Sequence, residues 1–490
     1  MSEQPFDFKK RAFQEMLNAG FQPVFEPEVL GQVALIEGGS VLPETTDGEI
    51  RDLRSLIWSS IDNRESRDLD QIEWAERLPS GNIRLLIGIA DVDAVVSEFT
   101  PIDAHASANS MTVYTGLAIF PMLPEALSTD ITSLAQDADR LSMVTELEID
   151  ATGKTVASRF FRAWTRNFAK LAYEEVGEWL EATAEIPVGV KRIAGLEAQI
   201  RLQSEAGELI RRRRVEEGAL EFETVEASPI VEDGKVVRLE VTRKNPARLM
   251  IENFMIAANS AMAGFLEANS IPSIQRVVRS PRRWDRIMEI ASKFGTTLPE
   301  IPDPKPLSLF LEARKLADPD HFAELSLSIV KLMGPGEYVV VRSKNDHAGH
   351  FGLAAYSYTH STAPNRRYAD VIVQRCLKAA LAKLPAPYAP EKLIEIATHC
   401  TERENAARKV ERTMRKVTSA LWMRERLGDK FEAIVTGKAN KGTFVRLNHP
   451  PVEGRLTHSE PGIDVGDKIR VRLVHADPDS GHIDFEVLPG

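Results

Sequence analysis

Three aspartates close together in the first quarter of the chain could hold a metal ion. Asp62, Asp68 and Asp70 occur in the segment IDNRESRDLDQIE, which also contains Glu65 and Glu73. Asp68 and Asp70 point the same way in an extended chain, and a turn after Asp62 would bring the third carboxylate back. Hard oxygen ligands suit Mg²⁺, and a pair of such ions can stabilise the attacking and leaving oxygens at phosphorus. The segment therefore indicates phosphate chemistry with Mg²⁺, or with Mn²⁺ as an alternative.

The same segment has a simpler interpretation as a solvated acidic loop, which the spacing alone favours. An EF-hand calcium loop is disfavoured, because its glycine and its ordered ligand positions are missing. The metal site and the solvated loop both remain open from spacing alone.

The secondary structure that must position these carboxylates changes along the chain from strand and loop to helices and then to a barrel. The run RLLIGIADVDAVV (84–96) predicts a buried strand, and 114–128 is extended and rich in loops. Helical patterns cover 170–182, 192–214, 248–268, 366–383 and 391–427, with a Pro/Asp-rich connector at 301–306. After Gly428, five short alternating runs predict a small five-stranded barrel.

The composition is that of a globular chain with an acidic balance. Its 490 residues carry 61 Lys+Arg against 72 Asp+Glu, a net charge of −11, with 27% charged and 43% hydrophobic residues. This mixture excludes a wholly disordered or fibrous chain. Cationic islands interrupt the acidic balance at Arg211–Arg214, at the arginines between 276 and 286, and at 401–426. Such islands suit a guided channel for phosphate better than a uniformly basic surface.

Cysteine content and hydropathy indicate the cellular compartment in which the protein works. Cys376 and Cys400 cannot form a disulfide framework, which favours a reducing, cytoplasmic location. No run approaches about 18 uninterrupted apolar residues, so we expect no membrane span. The N-terminal segment predicts a short amphipathic helix ending near Gly20 rather than a signal peptide. We expect a monomer without a disulfide partner.

The acidic loop resembles the metal-binding motif of the ribonuclease II/R (RNB) exoribonuclease family, whose pattern is I-D-x5-D-x-D-D. Asp62, Asp68 and Asp70 match three of its four aspartates, and Gln71 stands at the fourth position. The resemblance implies that these four residues hold the metal and that the three aspartates are catalytic. Because an amide brings oxygen without charge, one ion would bind more weakly, or Glu73 or water would compensate.

Three aromatic residues match the same family in the same order along the chain. Tyr114 in VYTGLAIFPMLP matches the tyrosine that packs near the reacting 3′ end, and Tyr173 in LAYEEVGEWL matches a tyrosine linked to sugar recognition. Phe222 in LEFET matches the aromatic residue that clamps the terminal bases. Without the resemblance, Tyr114 would be read as a core residue and Tyr173 as an ordinary helix position.

Three charged residues in helical segments extend the match. Glu252 shares a predicted helix face with Asn259 and matches a glutamate that contacts the terminal nucleotide. Arg366 in HFGLAAYSYTHSTAPNRRYAD matches the arginine at the scissile phosphate, where a guanidinium fork fits the oxygens and stays charged. Glu411 in ARKVERTMRK matches a glutamate near the active site. Without the resemblance, Glu252 would be interpreted as a structural acid, Arg366 as a surface arginine at the start of a helix, and Glu411 as one charge on a basic helix.

The segment after Gly428 resembles an S1 RNA-binding domain of the OB type. Phe431 and Phe444 are candidate stacking platforms, with Lys441 and Arg446 nearby, because such barrels hold single strands by base stacking and cations. The alternative is that the phenylalanines form barrel core, which we expect for at least one of them.

The resemblance implies an α+β protein with three parts. Residues 1–50 form a short helical and irregular segment, too short for the family's two cold-shock barrels. Residues 51–427 form an RNB catalytic domain, a mixed sheet surrounded by helices, and 428–490 form the S1 barrel.

The implied activity is Mg²⁺-dependent hydrolysis of single-stranded RNA from the 3′ end, releasing nucleoside 5′-monophosphates. A non-catalytic or weakly active RNA-binding protein is the alternative, supported by Gln71. A DNA-directed nuclease is disfavoured if Tyr173 and Glu252 read the 2′-hydroxyl.

Overall fold

A computed structural model describes most of the chain. The described residues are 6–39, 50–223, 226–232, 235–242, 244–343, 346, 349–439, 442–447, 450–458, 462–463 and 465–488, with backbone alone at 226–232, 235–242, 320 and 439.

The described strands fall into one large sheet, three two-stranded sheets and one barrel. In chain order they are β1 Arg51–Asp52, β2 Trp58–Asp62, β3 Gln71–Arg77, β4 Ile83–Ala90, β5 Val113–Tyr114, β6 Ile119–Phe120, β7 Asp139–Ile149, β8 Thr155–Ala172, β9 Glu226–Glu232, β10 Lys235–Thr242, β11 Ser273–Val277, β12 Glu337–Val341, β13 Lys430–Ala439, β14 Gly442–Leu447, β15 Glu453–Leu456, β16 Lys468–Asp477 and β17 His482–Val487.

The described helices lie mainly around the large sheet. In chain order they are α1 Phe8–Asn18, α2 Pro27–Glu37, α3 Pro101–Asn109, α4 Tyr173–Leu180, α5 Val188–Lys191, α6 Leu196–Glu217, α7 Pro246–Ala268, α8 Trp284–Lys293, α9 Pro304–Ala317, α10 Pro319–Met333, α11 Tyr368–Leu381 and α12 Pro390–Arg424.

Strand β8 organises the large sheet, because it pairs along two different parts of its length. Its first part runs antiparallel to β7, and its last part runs parallel to β2, where Ala172 lies opposite Asp62. The hydrogen-bonded order β8-β2-β3-β4-β7 therefore returns to β8, with β1 as a further parallel strand. This closure brings the end of β2 next to Tyr173, the first residue of α4.

Strand β3 sends its side chains into two different apolar cores. Ile72 and Trp74 belong to the core that includes residues of α2, α3 and α11, whereas Ala75 belongs to the core built with α4, α6 and α7. Since residues two apart on a strand share a face, Glu73 lies on the same side as Ala75. The strand thus places one carboxylate among apolar side chains.

Helix α7 contributes side chains to both large apolar cores. It is the one described helix long and apolar enough to cross a membrane, and its length and hydropathy follow from its place in the core, where Phe254 and Ala258 are buried. Its N-cap Asn245 accepts a hydrogen bond from Arg248 N at 2.9 Å and donates one to the Tyr173 carbonyl at 2.8 Å. A Cβ at Gly177 would lie 2.4 Å from the Asn245 side chain, so only glycine permits this approach of α4 to α7.

The C-terminal strands close into a barrel in the order β13-β14-β15-β17-β16. Its apolar interior includes Val435, Val445 and Phe485, and the end of α12 contributes Ala420 and Met423 to the same core. The predicted α+β organisation with a five-stranded barrel after Gly428 is confirmed.

Two local predictions are wrong. The helix predicted over 170–182 begins only at Tyr173, because 170–172 complete the pairing of β8 with β2. The first fifty residues contain a second helix, α2, which starts at Pro27 and buries Val29, Val33 and Ile36. Both differences arise from packing between elements distant in sequence.

Candidate active site

The acidic loop connects two neighbouring strands of the large sheet. Asp62 is the last residue of β2, and Gln71 is the first residue of β3. Between them, Leu69 N donates to Ser133 Oγ at 3.0 Å, and the Asp70 carbonyl accepts from Ala90 N at 2.9 Å. These bonds fix the loop against the body of the domain.

The loop forms one wall of a cavity of about 510 Å³. Eight of the residues predicted from the sequence line this cavity: Asp62, Asp68, Asp70, Gln71, Tyr114, Tyr173, Glu252 and Arg366. These positions span about three hundred residues of chain, so the fold assembles them from separate elements.

Asp70 is the most constrained carboxylate of the cavity. It is 2% exposed, and it accepts hydrogen bonds from Asn365 N at 3.0 Å and from Arg366 Nε at 3.2 Å. Burial raises the pKa of Asp70 to about 7, although Arg366 and the Asn365 bond oppose the shift. A bound cation would lower that pKa again.

Asp62 and Asp68 complete the acidic wall. Burial raises the pKa of Asp62, Asp68 raises it further, and a 2.7 Å bond from Asn63 N opposes the change. Asp68 accepts a hydrogen bond from the Tyr114 hydroxyl at 3.3 Å. The wall therefore carries carboxylates whose ionised forms favour a nearby positive charge.

Arg366 reaches the cavity from the segment that precedes α11. Two helices hold that segment. Asn259 Oδ1 of α7 accepts hydrogen bonds from Ser361 N at 2.9 Å and Ser361 Oγ at 2.7 Å, and Asp370 of α11 accepts one from Ala363 N at 2.8 Å. These buried bonds hold the backbone, while 47% of the Arg366 side chain remains exposed. The guanidinium is thus anchored at its base and free to meet an anion.

Tyr114 lies between the acidic loop and α12. The residue is 39% exposed, and its backbone nitrogen donates to Glu411 Oε1 at 3.1 Å. Glu411 lies behind Tyr114, where both residues and Arg366 line a second cavity of about 240 Å³. Glu411 therefore supports the site from outside the main cavity.

Tyr173 and Arg248 form a stacked pair that also lines the cavity. The Arg248 guanidinium lies 4.4 Å from the Tyr173 ring centroid and donates to Asn63 Oδ1 and Glu174 Oε1, both at 2.8 Å. The sequence interpretation missed Arg248, although it lies one helical turn before Glu252, a spacing that places both on one face. Glu252 itself pairs with Lys244 at 2.7 Å, a second residue that was missed.

The structure does not bring every predicted residue to the cavity. Phe222 packs against an apolar cluster built by α8, α9 and α10. In the barrel, Phe431 packs against Phe485 with ring centroids 6.5 Å apart, as expected for at least one phenylalanine. Phe444 is 37% exposed, Arg446 lies two positions further along β14, and Lys441 lies outside the described residues.

The donor set of the cavity fits a hard divalent cation. Asp62, Asp68, Asp70 and Gln71 offer oxygen atoms, the ligands that Mg²⁺ takes in proteins. Within the described part of the chain, no three His, Cys, Asp or Glu groups are already gathered around one point, and Asp70 forms an ion pair with Arg366. These four residues would hold the ion once Arg366 turns to another anion.

Comparison with known domain families covers most of the chain. The model described as "RNB domain" matches residues 50–383, and the model described as "RNase II-type exonuclease C-terminal S1 domain" matches residues 429–488. Ribonuclease R 1 of Lactococcus lactis is 31% identical over 496 residues, covering 95% of this chain and 59% of that relative. The chain spans about three-fifths of the length of several curated relatives it matches.

Solved structures share the fold. Mycoplasma genitalium RNase R in complex with ribose methylated single-stranded RNA matches with a TM-score of 0.86 and 21% identity, covering 98% of this chain and 78% of that chain. Yeast Ssd1, a pseudonuclease, matches with a TM-score of 0.71 and 15% identity, covering 93% of this chain and 56% of that chain. Because a pseudonuclease shares it, the fold alone does not decide activity.

Proposed function

Because this chain belongs to the RNB domain family, we propose that it is a hydrolytic 3′→5′ exoribonuclease of single-stranded RNA. The products would be nucleoside 5′-monophosphates, and the reaction would use Mg²⁺ or Mn²⁺. The observation that carries the proposal is the cavity in which three aspartates face an exposed arginine. This arrangement suits a phosphodiester, whose phosphate meets the arginine while a cation meets the carboxylates.

Asp62, Asp68 and Asp70, with Gln71, would hold the cation. When bound, Mg²⁺ supplies positive charge that polarises water and stabilises the leaving oxygen. The chain's own contribution is a fixed set of oxygens on a short loop that hydrogen bonds tie to Ser133 and Ala90. A preorganised site avoids reorganisation when the charge develops at phosphorus.

Arg366 would leave Asp70 and donate to the scissile phosphate. Water forms a bond to phosphorus, and the bond from phosphorus to the 3′ oxygen of the preceding nucleotide breaks. That 3′ oxygen gains a proton, and the terminal nucleotide departs with its phosphate on the 5′ carbon. A guanidinium carries its charge throughout this change, so Arg366 stabilises the extra negative charge without a proton transfer of its own.

Tyr114, Tyr173 and Glu252 would position the terminal nucleotide. All three line the cavity, and the Arg248 stack on Tyr173 limits the movement of that ring. Glu252, which pairs with Lys244, would exchange that partner for a sugar hydroxyl. Phe222, in a separate apolar cluster, would need to rotate to contact a base.

The barrel would bind the strand upstream of the cavity. Phe444 offers an exposed ring, and Arg446 and Arg455 lie on the adjacent strand positions. Base stacking beside cations is the usual way such barrels hold single strands. We further propose a cytoplasmic monomer as the working form.

A non-catalytic RNA-binding protein is the second candidate, favoured by Gln71 at the fourth metal position. A nuclease assay separates the two: purified protein is incubated with 5′-labelled single-stranded RNA in Mg²⁺ or in EDTA. The proposal predicts progressive shortening from the 3′ end in Mg²⁺ and none in EDTA. RNA that is bound but intact in Mg²⁺ and in Mn²⁺ would establish the second candidate.

A further inference from the structure

Arg248 lies where helix α7, helix α4 and the acidic loop meet. It occupies the first turn of α7, and its backbone nitrogen donates to the side chain of the N-cap residue Asn245 at 2.9 Å. The same Asn245 side chain donates to the Tyr173 carbonyl at 2.8 Å. One side chain therefore ties the base of Arg248 to the first residue of α4.

The Arg248 guanidinium contacts three groups at once. Its Cζ lies 4.4 Å from the centroid of the Tyr173 ring, and its Nη2 donates to Asn63 Oδ1 and Glu174 Oε1, both at 2.8 Å. A planar guanidinium can stack on a ring and donate in its own plane, whereas an ammonium group cannot do both in this fixed geometry. The contacts thus hold the aromatic ring, the acidic loop and the start of α4 together.

Asn63 connects this cluster to the carboxylates of the cavity. It directly follows Asp62, and its backbone nitrogen donates to Asp62 Oδ1 at 2.7 Å. On the neighbouring strand, Ala172 lies opposite Asp62 and directly precedes Tyr173. Arg248 therefore bridges the ends of two paired strands from a third element. One strand end carries a carboxylate of the cavity, and the other leads to its aromatic ring.

The surroundings of Arg248 favour a role in holding its neighbours over a role as a phosphate ligand. Its side chain is 23% exposed and forms an ion pair with Glu174, whereas 47% of the Arg366 side chain is exposed in the same cavity. Moving the Arg248 guanidinium to a phosphate would break two hydrogen bonds and the stack on Tyr173. Each of these contacts stabilises the observed position.

We propose that Arg248 is a positioning residue that sets the preference of the cavity for a terminal ribose. It covers one face of the Tyr173 ring and, through Asn63, holds that ring in a fixed place beside the acidic loop. A ring that is already fixed loses little freedom when the substrate binds, so the Tyr173 hydroxyl would distinguish a 2′-hydroxyl from its absence more sharply. This inference rests on the sugar recognition that the proposed function gives to Tyr173, and it does not depend on cleavage.

Binding measured in EDTA tests the proposal without cleavage. Fluorescence anisotropy gives the affinity of the full chain for two short labelled strands, one all-RNA and one with a single 2′-deoxyribose at its 3′ end. Wild type should bind the all-RNA strand about tenfold more tightly, the value of one hydrogen bond. Arg248→Lys keeps the charge but loses the planar stack, and should lower this preference to about twofold, chiefly by weakening binding of the all-RNA strand.

Asn63→Ala provides a second variant that leaves α7 untouched. It removes the acceptor that ties the guanidinium to the acidic loop, and should lower the preference in the same direction. Arg201→Lys is the matched control. Arg201 also stacks on an aromatic ring of α4, with its Cζ 4.7 Å from the Trp179 ring centroid, but it lies outside the residues that line the cavity. Its substitution should leave both affinities unchanged.

A double-mutant cycle separates positioning from a general structural effect. Tyr173→Ala removes the ring on which Arg248 would act. If Arg248 acts through that ring, Arg248→Lys should weaken all-RNA binding about fivefold in the wild-type background and leave it unchanged in the Tyr173→Ala background. Equal losses in the two backgrounds would overturn the proposal.

Three outcomes separate this inference from the proposed function. Wild-type preference in folded Arg248→Lys or in folded Asn63→Ala would overturn the inference alone, since the chain would still distinguish the two sugars. Equal affinity of wild type for the two strands would remove both the inference and the sugar recognition assigned to Tyr173. A preference that wild type shows and Arg248→Lys loses, without cleavage in Mg²⁺ or Mn²⁺, would support the inference and remove the exoribonuclease activity.

Discussion

Arg366 Nε lies 3.2 Å from Asp70 Oδ2, across a separation of 296 residues. The adjacent Asn365 N donates to the other carboxylate oxygen at 3.0 Å, so the segment before α11 contacts the acidic loop at two points. The pairing places the positive guanidinium of Arg366 against Asp70, while 47% of the Arg366 side chain remains exposed. The contact thus joins the acidic wall of the cavity to Arg366, the residue that would donate to the phosphate.

Arg366→Lys should lower kcat by about 100- to 1,000-fold, the cost of losing one well-placed donor at a developing charge. Lysine keeps the charge but cannot reproduce the guanidinium fork. Affinity for single-stranded RNA should change little, because the positive charge is kept and the barrel that would bind the strand is unchanged. Arg64→Lys, which alters an exposed ion pair with Glu175, is the control for single-turnover kinetics. Full activity in Arg366→Lys would exclude a role at the phosphate.

Asp70 should make the metal-free protein less stable as pH rises. The folded chain keeps the Asp70 proton up to a pKa of about 7, whereas the unfolded chain releases it near 3.8. Because the folded state binds more protons between these values, the free energy of unfolding falls as pH rises through this window. The whole shift corresponds to about 4 kcal/mol.

The comparison that isolates Asp70 is urea unfolding of wild type and Asp70→Asn in EDTA at pH 4.5 and pH 8. Asparagine does not titrate, so the variant should gain stability relative to wild type as pH increases. A difference in unfolding free energy that stays constant across the two pH values would show that Asp70 does not carry the shifted proton.

A single deoxyribose at the 3′ terminal position should slow cleavage about tenfold, the value of one lost hydrogen bond. The reason is that Tyr173 and Glu252, which line the cavity, would read the 2′-hydroxyl, the local difference between RNA and DNA. Tyr173→Phe should reduce this discrimination. Stopped-flow rates on matched oligonucleotides measure both effects, and equal rates on RNA and all-DNA strands would remove sugar recognition from the account.

Phe444→Ala should weaken binding of long single-stranded RNA by about 1–3 kcal/mol, the value of one stacked base. Because Phe444 is half-exposed on the barrel and far in sequence from the cavity residues, kcat on a short RNA at saturation should stay near wild type. Val474→Ala, at another exposed barrel position, is the control. Fluorescence anisotropy that shows unchanged affinity would exclude Phe444 as a stacking platform. Deleting the barrel is a poorer test, since Met423 of α12 is buried in the barrel core.

Short ordered motifs in the sequence marked the carboxylate loop and Arg366, which line one cavity in the structure; their roles stay a prediction. The sequence could not place Phe222, whose surroundings are set by three helices that follow later in the chain. The start of α4 at Tyr173 depends on the parallel pairing of β8 with β2, a contact between elements about a hundred residues apart. The Arg248 stack on Tyr173 is likewise visible only when α4 and α7 are packed together.

The most direct test of the account is Asp70→Asn assayed beside wild type on 5′-labelled single-stranded RNA in Mg²⁺. Wild type should shorten the RNA progressively from the 3′ end and release nucleoside 5′-monophosphates, identified by chromatography. Asp70→Asn should lose at least about 100-fold in rate while binding RNA with near wild-type affinity, because the change removes charge at the metal and leaves the strand contacts. Wild-type cleavage by the folded variant, or no cleavage by wild type with Mg²⁺ or Mn²⁺, would contradict the account.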